Sequence, residues 1–430
     1  MNNLFKRFTN SLGVSPKFSG DLIYNLVSFA VMSLVGILLN VIITNSYGSA
    51  GLGVFNQVYA LYLFLSQLAV GGVHLSVLKY VAQYEAKQDE RRVIFTSGLM
   101  LTGVIALLVV LLIYPLSGPI GDLFKSPAIS TGVIAMLPGL FFFSLNKVFL
   151  ALANARRQMK TFAIFQAVRY IFMLLSLVIL IATGASGDSL PALFTWAELG
   201  LFALLFLFFF KEVRIRFDKE QRKWYKEHWN FGLKAMGGNL MLNTFNKIDI
   251  LILGLFVGDA AVGIYSFASM LVEGFNQLAV VVRNIINPVI TTTFYQGGVE
   301  ALQQLTRKVR RFSSLILMPL GLIVVGGFSV LFFFLEKDFV LQAWLVFAIL
   351  MAGAISCQGY QPLSMILNQT GFPGRQTMLI AAIYFTAVIL NFILAPMFGL
   401  YGTAVATAIT YASQIIYIKL FTEKTIKAKI

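Results

Sequence analysis

Residues 48–70 read GSAGLGVFNQVYALYLFLSQLAV, and residues 258–280 read GDAAVGIYSFASMLVEGFNQLAV. Aligned 210 positions apart, Gly48 meets Gly258, Ala50 meets Ala260, Gly53 meets Gly263 and Leu61 meets Leu271, while Phe55 faces Tyr265. Both stretches end in the same tetrapeptide, Gln67-Leu68-Ala69-Val70 and Gln277-Leu278-Ala279-Val280. Apolar sequence produces chance matches, but a shared tetrapeptide carrying a polar residue, with two glycines in register, marks an internal repeat. Gly48-Ser-Ala-Gly51-Leu-Gly53 superficially looks like a glycine-rich ligand loop; its place between two apolar runs makes it a tight turn instead.

The sequence around the repeat is that of a membrane protein. Of its 430 residues 58% are hydrophobic and 12% charged, where a soluble domain carries about 25% charged residues. A bilayer span needs about 20 apolar residues. Runs of that kind are expected near 21–45, 51–80, 93–117, 128–154, 161–184, 190–210, 233–257, 260–294, 313–335, 339–368, 377–397 and 400–420. Six of them separate the two copies of the repeat, and an even number preserves orientation. The expected fold is therefore an all-α polytopic membrane protein with about twelve transmembrane helices. They form two six-helix lobes related by a parallel pseudo-two-fold axis, with a substrate path between them. The lobes are residues 1–210 and 233–430, joined by a basic cytoplasmic linker, 211–232.

The net charge of +15 would suit a nucleic-acid partner, but its distribution argues against one. Lys87, Arg91 and Arg92, then Arg156, Arg157 and Lys160, then Lys211 to Lys226, Arg307 to Arg311, Arg375 and finally Lys424 to Lys429 all fall on one side of a twelve-span chain. The opposite loops hold Lys125 and Lys337. By the positive-inside rule both termini are cytoplasmic. The first apolar run, after Lys6, Arg7 and Lys17, is too long for a cleavable signal. The external loops are too short for an extracytoplasmic catalytic domain. Cys357 is the single cysteine, so no intrachain disulfide is expected. His74 and His228 lie too far apart in sequence to suggest a metal cluster; His74 and Cys357 read as packing residues. Residues 218–232, with Trp224, Tyr225 and Trp229, and residues 299–312 are expected as surface helices lying on headgroups.

Charged residues inside spans are costly, by about 2.5–3.5 kcal/mol each on insertion scales, and so mark functional positions. They are Lys147, Arg169, Glu198, Lys247, Asp249, Glu273 and Arg283. In the eighth span Ser266, Ser269, Glu273, Asn276, Arg283 and Asn287 share one helix face. In the seventh, Asn239, Asn243 and Asn246 share another. The expected substrate site is a polar, net-basic cavity built from Lys147, Arg169, Lys247, Arg283, Asn243, Asn246 and Asn276, drawn mainly from spans seven and eight in the second half and from Lys147 and Arg169 in the first. Glu198, Asp249 and Glu273 would serve ion coupling or charge pairing. The bland alternative is a set of interhelical ion pairs, such as Lys147 with Glu198 or Arg283 with Glu273. An excess of cations suits an anionic substrate, such as a phosphate or pyrophosphate. The absence of G-x-x-x-x-G-K-[ST], H-E-x-x-H and G-x-S-x-G motifs speaks against ATP hydrolysis and against an enzyme. Transport would draw on an ion gradient, a membrane potential or removal of the substrate.

Several stretches, in order along the chain, resemble the Wzx-type polysaccharide flippases. Tyr47-Gly48 to Gly53-Val54-Phe55 is similar to their turn between the first two spans. Asn246-Lys-Ile-Asp249-Ile-Leu-Ile-Leu-Gly254 followed by Val262-Gly263-Ile264-Tyr265-Ser266 looks like their seventh-to-eighth span signature. Asn368-Gln-Thr-Gly371 with Arg375, and Asn391 through Pro396, Gly399, Gly402 and Thr407, resemble their last cytoplasmic loop and last two spans. The resemblance implies the multidrug/oligosaccharidyl-lipid/polysaccharide exporter fold. It implies alternating access that turns an undecaprenyl-pyrophosphate-linked oligosaccharide from the inner to the outer leaflet, and no cofactor beyond a possible Na+ or H+ gradient. Partners would be the anionic lipid-linked glycan, membrane lipids, and polysaccharide polymerase and assembly proteins. By type and span, Lys147, Arg169, Lys247 and Arg283 would engage the pyrophosphate. An ion-coupled multidrug exporter of the same fold would favour acidic cavity residues. A membrane-embedded polysaccharide polymerase or ligase would need a large outer loop.

Overall fold

The computed structural model describes residues 16–215, 219–244 and 247–428. A chain in hydrocarbon must satisfy its backbone hydrogen bonds within itself, and helices do this segment by segment. The described residues form α1 (Pro16–Val70), α2 (Val73–Gln83), α3 (Gln88–Leu123), α4 (Pro127–Ala155), α5 (Met159–Ala182), α6 (Ala192–Phe209), α7 (Lys219–Thr244), α8 (Ile248–Phe256), α9 (Asp259–Gly327), α10 (Lys337–Cys357), α11 (Ile366–Gln369) and α12 (Pro373–Ile426).

Three of these helices are too long for one crossing: α1 has 55 residues, α9 has 69 and α12 has 54. Each contains one glycine in a left-handed conformation, Gly48 at φ 70°, Gly298 at φ 68° and Gly399 at φ 57°. A residue with a Cβ is strained there, whereas glycine is not, and the chain turns at that point. Among the described residues eight helices are long and apolar enough to cross a membrane. With these three counted double, and α7 with α8 as one further pass, they supply the twelve spans. The protein is an all-α polytopic membrane protein in which two six-helix halves follow one another in the same order. Many large apolar side chains, such as Leu107, Leu108, Leu111 and Leu112 of α3, are exposed, as helices in lipid require.

The chain packs as two compact units. Among the described residues, the first takes those within 16–39, 62–118 and 130–239; the second takes those within 40–61, 119–129 and 240–428. The first has a core of Val77, Val81, Phe95, Phe149, Leu201 and Trp224. The second is built around Ile290, Leu302, Leu363, Leu379 and Ile418. Segments 40–61 and 119–129 of the first half thus pack with the second half, for a reason visible in the side chains. Asp259, at the start of α9, accepts a hydrogen bond from Gln57 Nε2 at 2.7 Å and another from Ser126 Oγ at 2.7 Å.

Both segments expected on headgroups are more deeply packed than that. Residues 219–232 are the first turns of α7 and no free linker. Gln221, Trp224 and His228, spaced three and four apart, are all buried. Trp224 meets Tyr80 and Tyr84 edge-on at 5.2 and 5.6 Å. Gly232 lies so close to the backbone of Gly71 that a Cβ would collide with it. The apolar stripe of α7 finds a protein core and has no need of lipid; Tyr225 is half-buried, and Trp229, on the far face, is exposed. Residues 299–312 follow Gly298 in the second part of α9. There Leu302 and Val309 join the core of the second unit while Phe312 stays exposed.

The positive loops are also partly structural. In the first unit Glu212 gathers Arg91, Arg92 and Arg156 at 3.4, 3.5 and 3.0 Å.

Candidate functional site

In the first unit the intramembrane charges form one cluster. Arg169 of α5 places Nε 2.6 Å from Glu198 of α6, and its Nη1 donates to Gln166 at 3.0 Å. Asn146 of α4 donates from Nδ2 to both the Glu198 carboxylate and its backbone carbonyl, each at 2.9 Å. Glu198 is 3% exposed, so its charge depends on these partners. The pairing of Glu198 with Lys147 therefore does not occur. One residue turns a helix by about 100°, and it is Asn146 that faces α6. Lys147 is half-buried and lies 5.3 Å from the ring centroid of Phe143; the Arg169 guanidinium lies 4.9 Å from the same ring. Among the described residues no carboxylate lies within ion-pair distance of Lys147. The cluster therefore keeps one uncompensated positive charge.

In the second unit Lys247, at the start of α8, donates to both oxygens of Glu273 at 2.7 and 2.9 Å. Glu273 was the partner of Arg283 in the ion-pair alternative, but ten residues of helix separate those two by about 15 Å. Arg283 instead donates to Ser364 Oγ at 3.3 Å, and no carboxylate among the described residues pairs with it. It lines a cavity of about 360 Å³ together with Glu273, Asn276, Gln277, Gln361, Ser364 and Gln414. Asn276 accepts from Gln358 Nε2 at 2.8 Å. Asn246 lies outside the described residues, as does the side chain of Asn243.

Asp249, two residues after Lys247, points elsewhere. It accepts from Tyr265 Oη at 2.5 Å, from the Ile250 backbone N–H at 2.8 Å and from Thr407 Oγ1 at 3.5 Å. Beside it is a space of about 20 Å³ lined by Asn391, Thr407, Thr410 and Tyr411. That is room for one water-sized occupant. Its lining of one carboxylate, an amide and hydroxyls is the oxygen-rich chemistry that suits a hard cation or a proton. Asn391 and Thr407 lie within the quoted C-terminal motif, yet nothing in their spacing announced a common site with Asp249.

The intramembrane charges divide unevenly between the two units: Lys247, Glu273, Asp249 and Arg283 sum to zero, and the unit positive charge left over belongs to Lys147, Arg169 and Glu198 in the first unit.

The sequence pattern of the family described as "Polysaccharide biosynthesis protein" matches residues 71–337, well over half of the chain. The chain belongs to that family. Its resemblance to Wzx-type flippases is borne out by the same match and by two kinds of relative. The "Probable flippase AglR" of Haloferax volcanii is 24% identical over 391 residues, covering 88% of this chain and 78% of that protein. Among solved structures, the fold is similar to that of the lipid II flippase MurJ in an inward closed conformation. There the TM-score is 0.75 and the identity 16%, over 94% of this chain and 88% of that one. It is equally similar to an inward-facing multidrug resistance MATE family transporter of the MOP superfamily. The TM-score is then 0.76 and the identity 13%, over 94% of this chain and 98% of that one. By their descriptions the relative is a probable flippase, and the two similar structures are a flippase and a transporter.

Proposed function

We propose that this chain turns a polyprenyl-pyrophosphate-linked oligosaccharide from the cytoplasmic to the outer leaflet of the inner membrane by alternating access. Both termini lie in the cytoplasm, and the delivered glycan passes to polymerase and assembly proteins. The observation that carries this reading is Arg283. It is a guanidinium without a carboxylate partner among the described residues, lining a cavity whose wall combines the amides and hydroxyls of Asn276, Gln277, Gln361, Ser364 and Gln414 and the Lys247-paired Glu273 with an apolar side of Val280, Leu379, Ile380 and Ile383. A guanidinium presents several N–H donors in a plane and suits the oxygens of a pyrophosphate. The amides of Asn276, Gln277 and Gln361 suit sugar hydroxyls. Lys147 offers a second cation, in the first unit. The lipid tail needs no protein site of its own, because it remains in the bilayer.

Asp249 supports coupling to an inward gradient of Na+ or H+, since its site is oxygen-rich and one occupant wide. The same residue favours the second reading, an ion-coupled multidrug exporter, to which the MATE-like fold also lends support. The two readings part at Arg283, because an exporter of cationic drugs gains nothing from a cation in its cavity.

The test is export of surface polysaccharide by a strain lacking the chromosomal gene and carrying Arg283→Ala or Lys147→Ala. Both variants are expected in the membrane at normal levels, with polysaccharide lost. Normal polysaccharide in both would overturn the flippase reading.

A further inference from the structure

Arg307, Arg310 and Arg311 leave α9 three and four residues apart and so share one face of the helix, with Ser314 one turn further on. Across from them stand Ser356, near the end of α10, and Tyr360. Between them is a cavity of about 480 Å³, separate from the one lined by Arg283. Tyr360 holds its cations in place. Arg310 Nη1 donates to the Tyr360 hydroxyl at 2.7 Å and the guanidinium lies 5.3 Å from the ring centroid. Lys419 of α12 lies 5.2 Å from the same centroid. Gly359 is packed so closely that a Cβ there would collide with Ser314 Oγ.

No acidic residue lines this cavity. Among the described residues no carboxylate lies within ion-pair distance of Arg307, Arg310 or Arg311. Like charges gathered without a counter-ion repel one another, and a bound anion relieves the repulsion. Charge alone does not fix the anion's form, but the same face of α9 continues from Arg311 through Leu315, Met318 and Leu322. Leu315 and Leu322 are each 66% exposed. A cationic cavity at the head of an exposed apolar stripe matches a molecule with a phosphate at one end and an acyl chain at the other. The loop charges put this end of α9 at the cytoplasmic leaflet, where anionic headgroups are found.

We propose that this cavity binds the phosphodiester headgroup of an anionic membrane phospholipid. Arg307, Arg310 and Arg311 hold the phosphate, Ser314 donates to it, Ser356 closes the far wall, and an acyl chain lies along Leu315 and Leu322. The site is independent of the transport reading, for it shares no residue with the Arg283 cavity or the Asp249 site.

The test uses the full chain, purified and delipidated in a neutral detergent. Its thermal unfolding is followed on addition of phosphatidylglycerol, phosphatidylcholine or inorganic phosphate. Phosphatidylglycerol is expected to raise the Tm, and the other two to leave it unchanged. The variant R307Q/R311Q alters two exposed side chains and is expected to weaken phosphatidylglycerol binding about tenfold or more. A second variant, S356Q, fills the cavity without removing charge and is expected to weaken binding likewise. The control K308Q/K424Q removes the same charge outside the cavity and is expected to bind normally. The proposal is overturned if R307Q/R311Q and S356Q both bind normally, if the control loses binding equally, or if inorganic phosphate stabilises as strongly as the lipid.

Discussion

Gly53 packs against Gly263, its counterpart in the internal repeat, and the contact is reciprocal. A Cβ on Gly53 would collide with the backbone carbonyl of Asp259, and a Cβ on Gly263 would collide with that of Ser49. Asp259 and Ser49 are themselves counterparts in the repeat. The two copies therefore cross at equivalent points within the second unit. The glycines that reveal the repeat in the sequence also permit the backbones to meet.

Valine at either position is expected to lower stability, because overpacking a backbone contact costs about 1–3 kcal/mol. Thermal unfolding in detergent of Gly53→Val and Gly263→Val, each compared with Gly36→Val, measures this. A Cβ at Gly36 would meet open space. Equal Tm values for all three would contradict the close approach.

Asp259 anchors Gln57 and Ser126, both buried. Asp259→Ala leaves two buried donors without their acceptor, and a hydrogen bond to a charged group contributes about 1.5–3 kcal/mol. Limited proteolysis should cut faster within 119–129 in this variant, and Asp259→Asn should fall between it and the native protein. An unchanged digestion pattern for Asp259→Ala would argue that the anchor is idle.

The Arg169–Glu198 pair is buried, and removing one partner strands the other. Arg169→Ala is expected to cost about 3–5 kcal/mol, whereas the paired change R169M/E198L should cost much less. A double-mutant cycle on Tm gives the comparison. Additive losses would mean that the two charges do not depend on each other.

Asp249→Asn keeps most of the shape and removes the charge. Glycan transport in reconstituted vesicles should lose its response to an imposed Na+ or H+ gradient. Transport that responds as in the native protein would place coupling elsewhere.

His228 gives a pH dependence. Its Nε2–H donates to the Ile94 carbonyl at 2.9 Å, and in the neutral ring that burial favours its Nδ1 accepts from Ser76 Oγ at 2.8 Å. Burial pushes its pKa down to about 4 from 6.5, against the smaller upward pull of the Ile94 carbonyl and Glu227. With the folded pKa below the unfolded one, its stabilising effect is fully present above pH 6.5 and is lost as pH falls toward 4. The loss approaches about 3 kcal/mol. The Tm of the native protein should therefore fall more steeply over this range than that of His228→Gln, and parallel curves would count against a buried neutral imidazole.

The spans, their number, the repeat and the turn at Gly48 were legible in the sequence because hydrocarbon imposes one simple rule on every residue that crosses it. The apolar length of a run and the side on which its flanking arginines lie are properties of the chain alone. Charged residues inside the spans were equally visible, since their cost in lipid makes any such residue conspicuous. Their partners were not. Whether Glu198 meets Lys147 or Arg169, and whether Glu273 meets Arg283 or Lys247, depends on the rotation of one helix against another. Composition does not encode that rotation. For the same reason nothing in the sequence singled out Asp259, and Trp224 looked like a headgroup anchor until α7 was seen to turn it into a protein core.

Sequence by itself therefore determined that this is a twelve-span, two-half membrane protein of flippase-like pattern, because burial in lipid acts residue by residue. Only the tertiary structure decided which of its intramembrane charges cancel. That left Arg283 in its cavity and Lys147 without a carboxylate partner among the described residues, because ion pairing acts over a few ångströms between helices far apart in the chain.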